Sequence, residues 1–214
     1  MNTAQTIAET LDRYLERPTQ MVVFGSAALL LDQNFAPRLA GRMTNDIDII
    51  IPDGREVAVD ADRQFWQALE AANRELEKQQ LYITHIFPER EVVLTPEWKQ
   101  HTLPLPNARL RKLRLQRPRM LDLVVSKMGR GDAQDQADVR NMLRLQREVF
   151  LVGPSAAEIA DAAQRAQVPE VYREIFPRAS AQIIGVARKV ELGESVQSRL
   201  PPPRQRPGPG MHPS

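Results

Sequence analysis

The order of apolar and polar positions in the first part of the chain predicts alternating helices and strands. Apolar residues recur at helical spacing over residues 3–16, and Pro18 ends this segment. A β-branched apolar run follows at residues 21–24, and Gly25 and Ser26 then open a second helix-forming run. This order is typical of a strand, a tight turn and a helix.

Later apolar patterns predict the rest of the fold. The run DIDIIIP at residues 46–52 predicts a strand, and apolar positions three to four apart over about residues 60–79 predict an amphipathic helix. Further strands are expected at residues 81–87, 90–95, 103–106 and 109–115. Helices are expected at residues 120–128, 132–146, 155–167 and 177–192. The predicted fold class is α/β (α+β): a small mixed sheet flanked by helices, with a C-terminal helical region.

Composition narrows the classes of function. The chain has no cysteine, which excludes disulfides and cysteine-based zinc sites and makes a cytoplasmic location the simplest expectation. The longest apolar run, residues 21–31, is shorter than the roughly 20 residues of a membrane span, and the N-terminus lacks a signal-peptide pattern, so no membrane association is expected. The net charge of +2 is too small to indicate nucleic-acid binding by itself.

Two acidic residues interrupt the apolar strand at residues 46–52. Because side chains alternate along a strand, Asp46 and Asp48 are expected on one face, about 7 Å apart, with Ile47 and Ile49 on the other. A shared divalent cation fits this spacing, and Mg²⁺, with Mn²⁺ as an alternative, binds one or two carboxylates together with substrate phosphates. The structural alternative is a solvent-exposed strand on which both acids are hydrated.

The Gly25-Ser26 turn supplies the second half of this hypothesis. Glycine lets the backbone approach a phosphate closely, and the start of the following helix offers free N–H groups to an anion. Because such turns occur in many α/β proteins, the pair is informative only together with Asp46 and Asp48. The combination predicts a nucleoside triphosphate (NTP) held through a divalent metal ion.

This combination resembles the nucleotidyltransferase fold of DNA polymerase β-like enzymes, in which a Gly-Ser turn is followed by Asp-x-Asp on the next strand. It is similar in more detail to the bacterial AbiEii-type nucleotidyltransferases, a group that includes toxins of type IV toxin–antitoxin systems. The resemblance covers about residues 20–145. It is carried by Gly25-Ser26, Arg42-x-Thr44-x-Asp46-x-Asp48, Lys127-x-x-Arg130 and Asp135-x-x-Asp138.

The resemblance implies three sets of site residues. Metal binding is assigned to Asp46 and Asp48. Nucleotide binding is assigned to Gly25, Ser26, Arg42, Thr44, Lys127 and Arg130. Catalysis is assigned to Asp46, Asp48, Lys127, Asp135 and Asp138.

The residue available as general base differs from the one in polymerase β-like enzymes. Those enzymes carry a third carboxylate on a later strand, whereas the next strand here offers His85. The resemblance to the AbiEii-type group assigns part of the base role to Asp135 or Asp138, and a phosphate contact to Lys127. The structural alternatives are a packed or surface histidine, an exposed lysine, and acids that complement the dipole of a helix N-terminus.

The same patterns suggest how the chain is organised. Residues 1–119 are expected to form the nucleotidyltransferase core, and residues 120–199 a helical region that completes the active site. Residues 200–214 are proline-rich and are expected to form a disordered tail. The basic run at residues 109–119 favours a solvated strand face, with a contact surface for a polynucleotide as the alternative.

The implied activity is transfer of a nucleoside monophosphate from an NTP to an acceptor hydroxyl, with Mg²⁺ as cofactor. The AbiEii-type resemblance suggests tRNA or another RNA as acceptor and an antitoxin as partner. The alternatives are transfer to a small molecule or protein, and a catalytically inert member of the fold that binds nucleotide and acts as a regulator.

Overall fold

A computed structural model describes residues 2–193 of the chain as five strands and eight α-helices. In chain order these are α1 (Thr3–Tyr14), β1 (Thr19–Phe24), α2 (Gly25–Leu31), β2 (Asp46–Ile51), α3 (Glu56–Asp60), α4 (Arg63–Leu76), β3 (Tyr82–Pro88), β4 (Leu103–Pro104), β5 (Leu113–Arg117), α5 (Met120–Ser126), α6 (Ala133–Phe150), α7 (Ala156–Arg165) and α8 (Phe176–Glu191). The predicted tail at residues 200–214 lies outside the described residues.

The five strands form one mixed sheet in the order β3-β2-β1-β5-β4, which confirms the predicted fold class. The central strand β1 is antiparallel to β2 and parallel to β5, and β2 is parallel to β3. Helices α1, α2 and α4 pack on one face, where their apolar side chains meet Val23, Ile47 and Ile49. A smaller cluster that includes Ile50 and Trp98 covers part of the opposite face. This second face carries Asp46 and Asp48.

The helices after β5 pack around a second core made largely from α5, α6, α7 and α8. They also contribute to the first core, because Met120 and Leu123 of α5 and Met142 and Leu145 of α6 pack with the sheet and its helices. Helices α5 and α6 therefore contribute side chains to both cores and join the C-terminal helices to the sheet. The proposed boundary at residue 119 stays a prediction.

The predicted strand at residues 90–95 is wrong. Residues Glu89–Glu91 form a 3₁₀ turn, and the extended segment after it makes a single isolated bridge, from Leu94 to Gln167. Val92 and Leu94 are buried against the second face of the sheet. The apolar run at residues 92–94 therefore belongs to a segment that lies across the sheet and covers apolar side chains without joining the hydrogen-bond ladder.

The basic run at residues 109–119 does not form the single solvated strand face that its pattern favours. Strand β5 begins only at Leu113. Arg117 is buried and pairs with buried Asp32, with Nη2 to Oδ2 at 2.7 Å, while its guanidinium lies over the ring of Phe35. Arg119 donates to Oδ2 of Asp122 at 2.9 Å. Two of the basic side chains in this run, those of Arg117 and Arg119, therefore form ion pairs with acids of the protein itself.

The start of β5 is fixed by a carboxylate from α1. The side chain of buried Asp12 accepts hydrogen bonds from the backbone N–H groups of Arg111, Lys112 and Leu113, at 3.0, 2.7 and 2.6 Å. Burial alone would raise the pKa of Asp12, but the three N–H donors outweigh it, so the pKa lies below its ordinary value. These bonds hold residues 111 and 112 where they lead into the strand, whereas the N–H groups of Arg109 and Leu110 bond to Asn107.

Replacing Asp12 with Ala is expected to lower the free energy of unfolding by about 3 kcal/mol at pH 7, because several N–H groups lose their acceptor. Because folding lowers the pKa of Asp12, its carboxylate stabilises the folded state fully at pH values above its ordinary pKa of about 3.9. This stabilisation is lost as the pH falls through the folded-state pKa. The difference from wild type, measured by urea unfolding, should therefore shrink below about pH 4. Asp60→Ala, which removes an exposed acid, is the control. An equal difference at pH 7 and pH 3 would contradict this account.

Candidate active site

Strand β2 presents its two acids on the same face of the sheet, as the alternation predicts. Ile47 and Ile49 point into the core beneath α1, α2 and α4, whereas Asp46 and Asp48 lie on the opposite face and are half-buried. Asp48 pairs in register with Phe24, the last residue of β1. The acids therefore lie next to the point at which β1 turns into α2.

A bulge in β3 brings a histidine to these acids. The pairing runs from Asp46 with Tyr82 to Asp48 with His85, so a step of two residues on β2 is matched by three on β3. His85 Nδ1 lies 3.3 Å from Asp48 Oδ1. One ligand atom from each of Asp46, Asp48 and His85 falls within 4.8 Å of the others. Two carboxylates and an imidazole are a donor set that fits Mn²⁺, and the carboxylates alone fit Mg²⁺.

Gly25 forms the turn beside this cluster. Its φ of +69° is in the left-handed region that favours glycine, and a Cβ built on it would lie 3.4 Å from Asp48 Oδ2. The left-handed turn therefore favours glycine, and the turn lies within van der Waals reach of the acid. The turn and the acids are adjacent in the structure.

Hydroxyl groups connect the turn to the first acid. Ser26 Oγ lies 3.5 Å from Thr44 Oγ1. The hydroxyl of Thr44 in turn donates to two oxygens of Asp46, the backbone O at 3.0 Å and Oδ1 at 3.3 Å. The backbone N–H of Thr44 donates to Thr3 Oγ1, which ties this loop to α1. Arg42 lines a separate depression with the N-terminus of α1 and is not part of the cleft that contains Gly25 and Asp48.

The cleft at Gly25 has a volume of about 260 Å³ and lies between the sheet and the C-terminal helices. The sheet side carries Asp48 and His85. The opposite side carries Lys127 and Arg130 from the junction of α5 and α6, together with Tyr172. The other lining residues are Phe24, Gly25, Phe87, Glu91, Val92, Val93, Ser126, Gly129 and Asp135.

Lys127 is held by two acids of α6. Its Nζ lies 3.1 Å from Asp135 Oδ1 and 3.0 Å from Asp138 Oδ2, and only 15% of its side chain is exposed. Burial alone would lower the pKa of Lys127, but Asp138 and Asp135 outweigh it and the pKa is raised. The ammonium group therefore stays charged at neutral pH. These contacts make Asp135 and Asp138 the acceptors that hold Lys127.

Arg130 extends this network toward solvent. It donates to both carboxylate oxygens of Asp135, at 3.2 and 3.3 Å, while 60% of its own side chain stays exposed. Asp132 caps the N-terminus of α6 by accepting from the backbone N–H of Asp135 at 2.9 Å. Asp135 lies in the first turn of α6, so the helix-terminus alternative applies to both Asp132 and Asp135. Asp135 and Asp138 hold the two cations, Asp135 at the wall of the cleft.

Comparison with protein-family models finds one described as a nucleotidyltransferase of unknown function (DUF6036), which matches residues 1–149. The chain belongs to this nucleotidyltransferase family. The match contains every residue of the predicted site, from Gly25 to Asp138, and crosses the predicted boundary at residue 119. Searches of the curated proteins and of the solved structures found no match.

The sequence assigns no site role to two residues that line this cleft, Tyr172 and His85. Tyr172 lies beyond the family match, on the 3₁₀ turn Glu170–Tyr172, and its ring would lie 3.4 Å from a Cβ at Gly129. The sequence offers His85 only in place of the third carboxylate, as a candidate base and not as a metal ligand. Strict alternation along β3 would place His85 on the same face of the sheet as Ile83, in the core. The bulge moves His85 to the opposite face, and no residue type in the sequence indicates that bulge.

No helix within residues 2–193 has both the length and the apolar character needed to cross a lipid bilayer.

Proposed function

We propose that this nucleotidyltransferase transfers a nucleoside monophosphate from an NTP to an acceptor hydroxyl and requires a divalent metal ion. The observation that carries the proposal is the convergence of Asp46, Asp48 and His85 within 4.8 Å, beside the Gly25 turn. Two carboxylates and an imidazole would hold Mn²⁺ or Mg²⁺. The metal would supply charge neutralisation at the phosphoryl oxygens.

The chain's own residues would then hold and orient the triphosphate. Gly25 forms the turn beside Asp48, and Ser26 belongs to the hydroxyl chain that ends at Asp46. Arg130 has an exposed side chain at the cleft wall and would contact phosphate oxygens, and Lys127 would add fixed positive charge. In the reaction, the acceptor oxygen would bond to the α-phosphorus and pyrophosphate would leave.

The base that takes the proton of the acceptor stays a prediction, with Asp135 or Asp138 as candidates. Asp135 lines the cleft, but both of its oxygens accept from cationic side chains. These contacts support a positioning role, in which the two acids hold Lys127 and Arg130.

The acceptor is proposed from the AbiEii-type resemblance: tRNA or another RNA, in a cytoplasmic toxin with an antitoxin partner. None of the basic residues at positions 109–119 lines the cleft. The proposal of RNA as acceptor therefore depends on the resemblance alone, and a hydroxyl of a small molecule or protein is the alternative acceptor.

A catalytically inert member that binds nucleotide is a second candidate function. It is favoured by the histidine that stands where related enzymes carry a carboxylate.

The test uses the full chain with Mn²⁺ or Mg²⁺ and each of the four NTPs labelled at the α-phosphate. Total RNA, protein extract and small-molecule extract serve as acceptors, and both pyrophosphate release and label transfer are measured. Transfer that requires metal supports the proposal. Binding of NTP without transfer supports the inert alternative, and absence of metal-dependent NTP binding contradicts both.

The histidine ligand predicts a preference between metals. Replacing His85 with Ala should weaken Mn²⁺ binding at least about tenfold and Mg²⁺ binding much less, because imidazole suits Mn²⁺ better than Mg²⁺. Titration of free Mn²⁺ by electron paramagnetic resonance, with Mg²⁺ as competitor, measures both affinities. His101→Ala, which removes an exposed histidine outside the cleft, is the control. Equal losses for the two metals would show that His85 is not a ligand.

A further inference from the structure

The bulge that aims His85 at the acids is held by a side chain from another element. Asn73 on α4 donates from Nδ2 to the backbone O of Ile83 at 3.0 Å, and its Oδ1 accepts from the backbone N–H of Ile83 at 2.8 Å. Both backbone groups of Ile83 are therefore satisfied by a single amide. Ile83 lies between Tyr82 and His85, inside the step at which the register of β2 and β3 shifts.

The bulge changes the face of the sheet on which His85 lies. In a regular strand, residues 83, 85 and 87 share one face. Here Ile83 and Ile86 pack in the core beneath the helices, whereas Phe87 packs on the opposite face and stacks on His85, with ring centroids 5.3 Å apart. A bulge leaves the extra residue without its ladder partners, and parallel bulges are rare. Buried backbone groups need other partners, and Asn73 supplies them.

We infer that Asn73 is a positioning residue for the metal site: it stabilises the bulge and thereby places the His85 imidazole among the ligands. Without these two bonds, the regular ladder would satisfy Ile83 and turn His85 toward the other face. The inference rests on the proposed function, because it gives His85 the role of a ligand. It assigns a functional role to an α4 residue that does not line the cleft.

The test is the coordination of Mn²⁺ in the full chain, measured without any reaction. Pulsed electron paramagnetic resonance detects the ¹⁴N nucleus of an imidazole bound to Mn²⁺. Wild type should show this coupling, and both His85→Ala and Asn73→Ala should lose it. Asn73→Ala should also weaken Mn²⁺ binding about tenfold, the lower end of what removal of an outer-shell partner costs.

Two comparisons separate positioning from general loss of stability. Asp62→Ala removes the N-cap of the same helix, since Asp62 Oδ1 accepts from the backbone N–H of Phe65 at 3.1 Å, and this residue is remote from the bulge in sequence. It should keep the ¹⁴N coupling. In a His85→Ala background, Asn73→Ala should change Mn²⁺ affinity less than twofold, because its effect passes through the histidine.

Should Asn73→Ala fail to fold, Asn73→Asp keeps an acceptor for the N–H of Ile83 and removes the donor to its carbonyl. This variant should weaken the ¹⁴N coupling. An Asn73 variant with wild-type coupling and affinity, or one that weakens Mn²⁺ binding equally in the His85→Ala background, would overturn the inference and leave the proposed function intact. Absence of Mn²⁺ binding in wild type would overturn both.

Discussion

Replacing Asp46 and Asp48 together with Asn is expected to reduce nucleotidyl transfer by about 10³-fold or more. Both acids belong to the group of ligand atoms within 4.8 Å, and the amide side chains carry no charge to hold a divalent cation. A catalytic metal supplies several kcal/mol of transition-state stabilisation, and each 1.4 kcal/mol corresponds to about a factor of ten. The loss should appear in the rate of label transfer and in Mn²⁺ affinity alike.

The fold should survive this double substitution. Asn is close to Asp in size, both positions are half-buried, and removing two neighbouring like charges relieves repulsion. The matched control is Asp53→Asn with Asp60→Asn, which makes the same change in net charge at two exposed positions outside the cleft. The control should transfer at the wild-type rate. If the variant of Asp46 and Asp48 stays within tenfold of wild type, the proposed metal-dependent reaction is wrong.

The placement of these two acids was predictable because it depends on strand alternation alone. Ile47 and Ile49 need a core, so the acids between them had to face the other way, and Gly25 was marked by its position between an apolar strand and an apolar helix. Both are local properties of the sequence. The mixed sheet flanked by helices followed from the same apolar periodicities.

The third member of the cluster depended on contacts between distant segments. The face on which His85 lies is set by a bulge, and the bulge is bonded by Asn73, ten residues earlier on a helix. The error at residues 90–95 has a similar cause, since a short apolar segment can lie across a sheet as well as within it. Periodicity reports which residues are buried and does not report against what they are buried.

Replacing Lys127 with Met is expected to lower the free energy of unfolding by about 3–5 kcal/mol, the cost of removing one partner from a buried ion pair. The substitution leaves two carboxylates of α6 without their shared cation. Asp135 would keep Arg130, and Asp138 would keep the amide of Gln134 at 3.0 Å. Urea unfolding at neutral pH measures the loss.

The pKa of Lys127 gives this prediction a pH signature. Because the folded-state pKa is raised, the stabilising contribution is complete below the ordinary lysine value of about 10.4 and is lost only as pH rises through the folded-state value. The difference between wild type and Lys127→Met should therefore be constant from pH 7 to pH 9. A difference that fell within this range would contradict the assigned contacts.

Replacing Arg130 with Met removes the other, more exposed cation that pairs with Asp135. Because 60% of the Arg130 side chain is exposed, the ion pair with Asp135 should be worth at most about 1 kcal/mol. The two substitutions should therefore separate stability from nucleotide binding: Lys127→Met should affect chiefly stability, and Arg130→Met chiefly the affinity for NTP. Equal losses of stability would show that burial does not distinguish the two cations. A folded Arg130→Met variant with wild-type NTP affinity would remove Arg130 from the nucleotide site and leave Lys127 as the cation on that wall of the cleft.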